Sequence, residues 1–268
     1  EKSIQNPGAR SGYLAKYKTD GTLVWLIPLG SSSYDNALSI TYFNNSICVA
    51  GFFQGNEIVA GNETVKRGLH TNFIFQFSTN GEYLQHVEVA QKWKINDLEP
   101  VGDFLYVAYS NEVLIFDKDL IKVSGTTYSG KGYSYVQDIK NVNDTAYFIS
   151  GYYSNTLEID GVIYPNSNSG IGSTAFIALL NSKTNEIRWL KSFGKIAGLS
   201  HLFLKDGDTF WNFAPRDLGF TYTKNSIEGY SVLSNQKTFV PFISEGFDYK
   251  KGITNQLISN KGITKSIT

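Results

Sequence analysis

Tyr13-Leu-Ala-Lys-Tyr17, a turn at Asp20-Gly21, and a return through Leu23-Val-Trp-Leu-Ile27 make one hairpin. Ala37-Leu-Ser-Ile-Thr-Tyr42, a turn at Asn44-Asn45, and a return through Ile47-Cys-Val-Ala-Gly-Phe-Phe53 make a second. Alternating apolar and aromatic residues suit half-buried strands, and Asp-Gly and Asn-Asn suit tight hairpin turns. A Gly/Ser-rich link, Gly30-Ser-Ser-Ser33, joins the two hairpins.

The rest of the chain repeats this unit, and the repeat decides the architecture. The first kind of hairpin recurs from Phe73, Val113, Phe176 and Tyr230; the second spans Ala37–Phe53, Ile95–Tyr109, Val136–Tyr153, Ser200–Ala214 and Ile253–Ile267. Repeats of four short antiparallel strands predict an all-β fold, a β-propeller of four-stranded blades. The chain starts on an outer hairpin and stops on an inner one, so joining Tyr13–Leu29 to Ile253–Ile267 would complete a shared blade and remove two unpaired strand edges. The expectation is therefore a single domain, residues 1–268, of five blades closed by both termini.

Composition agrees. Aromatic residues are 15% of the chain, with 17 Tyr and 18 Phe beside 25 Gly, the balance of a strand-and-turn protein. Apolar residues at 41% supply a core, and charged residues at 18% argue against extended disorder. The 24 basic and 24 acidic residues cancel, so no general field favours nucleic acid. No apolar run reaches the length of a membrane helix, so membrane insertion is not expected. The absence of Met suggests a processed or excised piece. The one cysteine, Cys48, lies in an apolar strand and reads as a small core residue.

The recurring residues resemble bacterial propeller repeats of the SBBP type. Tyr13-Leu-Ala-Lys-Tyr17, Gly21, Leu23, Trp25, Gly30, Asp35 and Ile47-Cys-Val-Ala-Gly-Phe-Phe53 carry the likeness, with Ile149-Ser-Gly-Tyr-Tyr153, Phe176-Ile-Ala178, Trp189 and Gly194 in a later copy. The resemblance covers most of the chain, strongest at Gly12–Gly81 and Thr145–Gly194, and faint in the second, fourth and last copies. It implies a propeller on secreted or cell-surface proteins and implies no activity. Trp25 and Trp189 repeat on one strand position and read as core.

Catalytic and cofactor motifs are weak. Gly125-Thr-Thr-Tyr-Ser-Gly-Lys-Gly132 approaches a phosphate loop, but Gly132 stands where a hydroxyl is needed and a strand follows where a helix must start. His70, His86 and His201 lack metal-site spacing. Asp117-Lys-Asp119 and Asp206-Gly-Asp208 offer too few oxygens for calcium and read as turns. Asp97 and Asp138 match on inner strands, with Glu99 and Asp35 nearby in repeat position, which keeps a propeller glycosidase as a third reading. No cofactor and no metal are expected.

Binding residues are sought in long loops and links. In a propeller blade the second-to-third strand connections and the links between blades emerge on one face. That face carries inserts at Gln54–Asn72, Ser154–Thr174 and Pro215–Glu228. Tyr34, Trp93, Tyr128, Tyr133, Phe247 and Tyr249 lie in or beside its links and are the candidate ligand residues. The leading expectation is a non-catalytic recognition or adhesion module, extracellular or at the cell surface, binding glycan or protein there. The alternative is a purely architectural domain of a surface assembly.

Overall fold

A computed structural model describes residues 3–5, 8, 10–89, 94–159, 161–165 and 174–193, and beyond them the strands named below. The chain divides into two compact units, residues 1–125 and 126–268.

In the first unit β1 (Gly12–Tyr17) and β2 (Leu23–Ser31) form the opening hairpin, followed by β3 (Asp35–Phe43), β4 (Ser46–Phe53), β5 (Glu57–Ala60), β6 (Glu63–Lys66), β7 (Asn72–Ser78) and β8 (Tyr83–Val89). Then come β9 (Ile95–Val101), β10 (Phe104–Tyr109), β11 (Glu112–Phe116) and β12 (Lys122–Thr127), whose end crosses the division. Two sheets have the order of a propeller blade, β3-β4-β7-β8 and β9-β10-β11-β12. Turn chemistry sets their registers: Asn44 and Asn45 take φ of 45° and 59°, the left-handed pair that a two-residue hairpin demands.

Strand position within a blade explains the burial. β7 lies third, with sheet on both edges and packing on both faces, and all its residues from Asn72 to Phe77 are buried. Its Phe73, Phe75 and Phe77 meet Phe53, Val49, Leu14 and Leu29 in the core between the opening hairpin and the first blade. Phe53 stands edge-on to Phe73 and Phe75 at 5.6 and 5.5 Å. A second core sits between the two blades, where Cys48, Ala50 and Ile74 meet Ile95, Leu98 and Val107. Innermost strands are tied by Ser39, whose Oγ donates to Asp97 Oδ1 at 3.0 Å and accepts from Leu98 N at 3.1 Å.

In the second unit β13 (Ser134–Asn143), β14 (Ala146–Tyr153), β15 (Thr156–Ile159), β16 (Val162–Pro165), β17 (Thr174–Asn181) and β18 (Ile187–Phe193) give a third blade, β13-β14-β17-β18, and a separate β15-β16 hairpin. β19 (His201–Lys205), β20 (Asp208–Phe213), β21 (Leu218–Thr223), β22 (Ser226–Ser231), β23 (Phe242–Asp248), β24 (Gly252–Ile258) and β25 (Thr264–Ile267) follow one another in a seven-stranded sheet.

The all-β expectation holds, and four-stranded antiparallel sheets recur as the repeat requires. Three details differ. The blade expected from Tyr13–Leu29 plus Ile253–Ile267 is not among the described sheets: β1-β2 is extended by β5-β6, and β24-β25 continues from β23. The first insert folds into a hairpin and pairs Ala60, Val59 and Ile58 with Leu29, Gly30 and Ser31. Of the fourth outer hairpin, read from Tyr230, residues 232–241 lie outside the described residues. Where an insert was expected at Pro215–Glu228, β21 pairs with β20 and β22 with β21, because the alternation Leu218, Phe220 and Tyr222 already makes a strand.

Trp25 is half-buried rather than fully enclosed. It caps the turn of the neighbouring blade, with Nε1 donating to Thr79 O at 3.3 Å beside Lys16 Nζ at 2.9 Å from the same oxygen. Gly81, at φ +88°, completes that turn against the indole, where a Cβ would stand 3.1 Å from Trp25 Cδ2.

Candidate functional site: the links between blades

In the first unit the link Ser31–Asp35 is organised by a buried carboxylate. Asp35 is 1% exposed and accepts from Ser31 N, from Ser31 Oγ at 2.7 and 2.9 Å, and from Gln54 N at 3.0 Å. Ser31 Oγ in turn accepts from Gly55 N at 3.0 Å and Ser33 N at 3.2 Å. A carboxylate offers only acceptors, and here backbone and hydroxyl donors converge on it from the link and from the start of the insert. Asp35, noted as an acid near a possible catalytic pair, is thus a latch between two segments.

Tyr34, next to the latch, points outward with 59% of its surface exposed. Its backbone is held in a parallel bridge to Arg10, and Asp35 N donates to Arg10 O at 2.8 Å.

In the second unit the link from Tyr128 to Ser134 is zipped to the insert that follows β14. Ser129 and Glu158 exchange backbone bonds of 3.1 and 2.6 Å; Lys131 N donates to Thr156 Oγ1 at 2.7 Å; Tyr133 N donates to Ser154 Oγ at 2.9 Å. Amides that a phosphate loop would aim at an anion are therefore spent on the hairpin. Tyr128 is fully buried, which corrects its expected place in a ligand surface. The zipped link lays this ring inward, and its carbonyl accepts from Ser134 Oγ.

Tyr133 is 53% exposed and stands edge-on to Tyr152 at 6.1 Å, while Tyr152 stacks on Tyr135 at 5.2 Å and 12°. Burial, then the neighbouring Tyr135 and Tyr133 hydroxyls, push the Tyr152 phenol above its ordinary pKa, so Tyr152 is neutral at physiological pH. Such an array offers an apolar, stackable ring face with a polar tip. Trp93 and Tyr249 lie outside the described residues. Phe247 lies on β23, opposite Ile253 and Ile227.

A feature missed by the sequence reading lies at the other end of the first unit, among the short turns. A cleft of about 450 Å³ is lined by Tyr42, Asn44, Asp103, Phe104, Asp117 and Lys118, among others. Its signal was a ring beside each of two inner turns, Tyr42 before Asn44-Asn45 and Phe104 after Gly102-Asp103. Lys118 pairs with Asp119 at 2.6 Å, both exposed. Among the described residues no group of three or more His, Cys, Asp or Glu side chains converges as a metal site.

No protein-family model and no curated protein matches this chain. Among solved structures, the chain is similar to the WD40 domain of Neurospora crassa Pan2, at 14% identity over 96% of this chain and 69% of that one, TM-score 0.49. It is similar to BamB from Moraxella catarrhalis, at 14% identity over 97% and 80%, TM-score 0.44. A third is a catalytically inactive virginiamycin B lyase from Staphylococcus aureus with quinupristin, at 11% identity over 96% and 88%, TM-score 0.40. The assignment to propeller-type repeats stands on the sheet order described above.

Proposed function

We propose that this chain is a non-catalytic recognition or adhesion module of a secreted or cell-surface protein, built of SBBP-type repeats, that binds protein or glycan through link tyrosines. The observation that carries this is a repeated presentation. Tyr34 precedes Asp35, which pairs with Phe53; Tyr133 precedes Ser134, which pairs with Tyr153. Both rings occupy one repeat position, both are more than half exposed, and both rest on backbone held by hydrogen bonds. A rigid aromatic loses little rotamer entropy on contact, which is what a recognition residue needs. Latched links also favour the architectural alternative, since most of their polar groups serve to hold segments together.

The test is a screen of the immobilised full chain against a glycan array and against secreted and surface proteins, repeated with Tyr34→Ala and Tyr133→Ala. The reading expects a ligand whose affinity falls at least tenfold in one variant with melting unchanged. A ligand that binds both variants normally would exclude the link tyrosines, and polysaccharide turnover by the chain would replace the reading with an enzymatic one.

A further inference from the structure

Several hairpin turns in this chain hold the side chain of an Asn or Asp; the turn after β7 does not. Asn143 Oδ1 accepts from Thr145 N at 2.9 Å, Asn181 Oδ1 from Lys183 N at 2.9 Å, and Asp20 Oδ1 from Thr22 N at 2.8 Å. Asn80 is exposed, and among the described residues no hydrogen bond holds its side chain; only its backbone N donates, to Ser78 Oγ at 3.2 Å. It is also the one Asn in the sequence that a Gly follows. Without a Cβ, Gly81 leaves the approach to its own backbone nitrogen open.

The same turn is a clasp within the first unit. Gly81 N donates to Ser78 O at 2.9 Å and Ser78 N to Glu82 O at 2.8 Å. Thr79 O, on the peptide group leading into Asn80, takes both Trp25 Nε1 and Lys16 Nζ from the opening hairpin. Gly81 lies so close to the indole that a single added Cβ would stand 3.1 Å from Trp25 Cδ2. A longer main chain between these two contacts has no space to occupy, because surfaces packed this tightly resist even one added methylene.

We propose that Asn80-Gly81 is a site of spontaneous deamidation whose isoaspartyl product opens the clasp between the opening hairpin and the first blade. Hydroxide removes the Gly81 N–H proton and the nitrogen attacks Asn80 Cγ. The new N–Cγ bond closes a five-membered succinimide as the Cγ–Nδ2 bond breaks, and the leaving nitrogen takes a proton from water and departs as ammonia. One water then adds to either ring carbonyl. Addition at Cγ breaks the Cγ–N bond and gives aspartate; addition at the backbone carbonyl breaks its bond to Gly81 N and gives isoaspartate, whose main chain runs through Cβ and Cγ and is one carbon longer. Overall one water is consumed and one ammonia released, with no change of oxidation state. The Gly81 N–H bond to Ser78 O must open before the attack, so the clasp also sets the rate. Asp20-Gly21 is the internal control. Gly21 N donates to Lys18 O at 3.0 Å in the matching turn, but the Thr22 amide holds the Asp20 carboxyl below the ordinary carboxylate range, in the ionised form that a backbone nitrogen attacks poorly.

In the test the full chain is aged at mildly alkaline and mildly acidic pH, and isoaspartate is read by enzymatic methyl transfer with peptide mapping. Isoaspartate should gather at position 80 at least tenfold faster than at position 20, and at least tenfold faster on the alkaline side. Asn80→Gln, a change at an exposed turn position, should abolish that signal. Trp25→Phe, which removes the indole N–H from Thr79 O, should raise the rate at least twofold, toward that of a free peptide of residues 76–84. The indole N–H resonance of Trp25, assigned as the one that Trp25→Phe removes, should shift in proportion to the isoaspartate formed and stay in place in Asn80→Asp. The proposal is overturned if position 80 holds no isoaspartate by the time the peptide has converted, or if Trp25→Phe leaves the rate unchanged. It is equally overturned if the Trp25 resonance of the isoaspartyl chain does not move, or if Asn80→Asp moves it as far, which would make charge rather than chain length the cause.

Discussion

Asp35→Ala removes the acceptor for three donors, the buried amide and hydroxyl of Ser31 and the part-buried amide of Gln54. A hydrogen bond to a charged group contributes about 1.5–3 kcal/mol, and each buried donor left alone costs about 1–3 kcal/mol. The Ser31 hydroxyl can turn elsewhere and the part-buried Gln54 amide can meet water, but the Ser31 amide cannot, so the loss is about 2–4 kcal/mol. Asp35→Asn keeps one acceptor oxygen but turns an NH2 toward a donor, which places it between wild type and alanine. Urea unfolding followed by tryptophan fluorescence orders the three proteins. Hydrogen exchange at the Ser31 and Gln54 amides localises the effect, and both should exchange faster in the alanine variant. If Asp35→Ala unfolds within 1 kcal/mol of wild type and both amides stay protected, the latch is not what holds the link, and the role assigned to Asp35 falls.

Tyr128→Ala should destabilise by about 3–5 kcal/mol, as for other large-to-small aromatic changes in a core, and leave ligand affinity unchanged in the fraction that folds; thermal melting and a binding titration read the two effects. Gly81→Ala adds a Cβ at φ +88°, 3.1 Å from the Trp25 ring, and should cost about 1–3 kcal/mol, with a fluorescence shift from the displaced indole. Gly21→Ala, at φ +85° but with nothing within 4 Å, should cost less, and equal losses would deny the indole contact. Burial pushes the Cys48 thiol from 9.0 up to about 11. The folded thiol is then about a hundredfold less ionised than an unfolded one near pH 8, so a disulfide reagent should modify it only after denaturant is added. Because that pKa is raised, the associated stability is complete below pH 9 and drains away as the pH climbs toward 11; loss on the acid side instead would point to other groups.

The repeat was legible because its signals are local: Asp20-Gly21 and Asn44-Asn45 fix turns, and alternation fixes which residues face a core. Burial of Tyr128 was not legible, since the direction of a link ring depends on Ser154–Glu158, some 25 residues further on, pairing back onto the link. The same non-local pairing hid the fate of the first insert. Its Gly61 and alternation, Ile58, Val59 and Ala60, announced a hairpin, but nothing nearby in sequence names β2 as its partner. Asp35 is a middle case. A carboxylate after three serines suggests a polar link, and only the approach of Gln54 and Gly55 shows that the acid faces inward. Tyr34 and Tyr133 were named because they lie in or beside the links between blades. The turn-side cleft was passed over because binding residues were sought in the long loops and links.

The pairing of β5 with β2, and of Glu158 with Ser129, bears on how such a chain can be lengthened or shuffled. In both places the hairpin grown from one repeat completes its hydrogen bonds on the link that closes the repeat before it. A cut drawn between blades would strand each hairpin from its partner, so the transferable unit is a blade together with the tail of its predecessor. Duplication in that larger frame carries its own splice. Among the described residues the β9-β12 repeat carries no such hairpin, so it is the natural place for the array to be interrupted or extended by unrelated sequence.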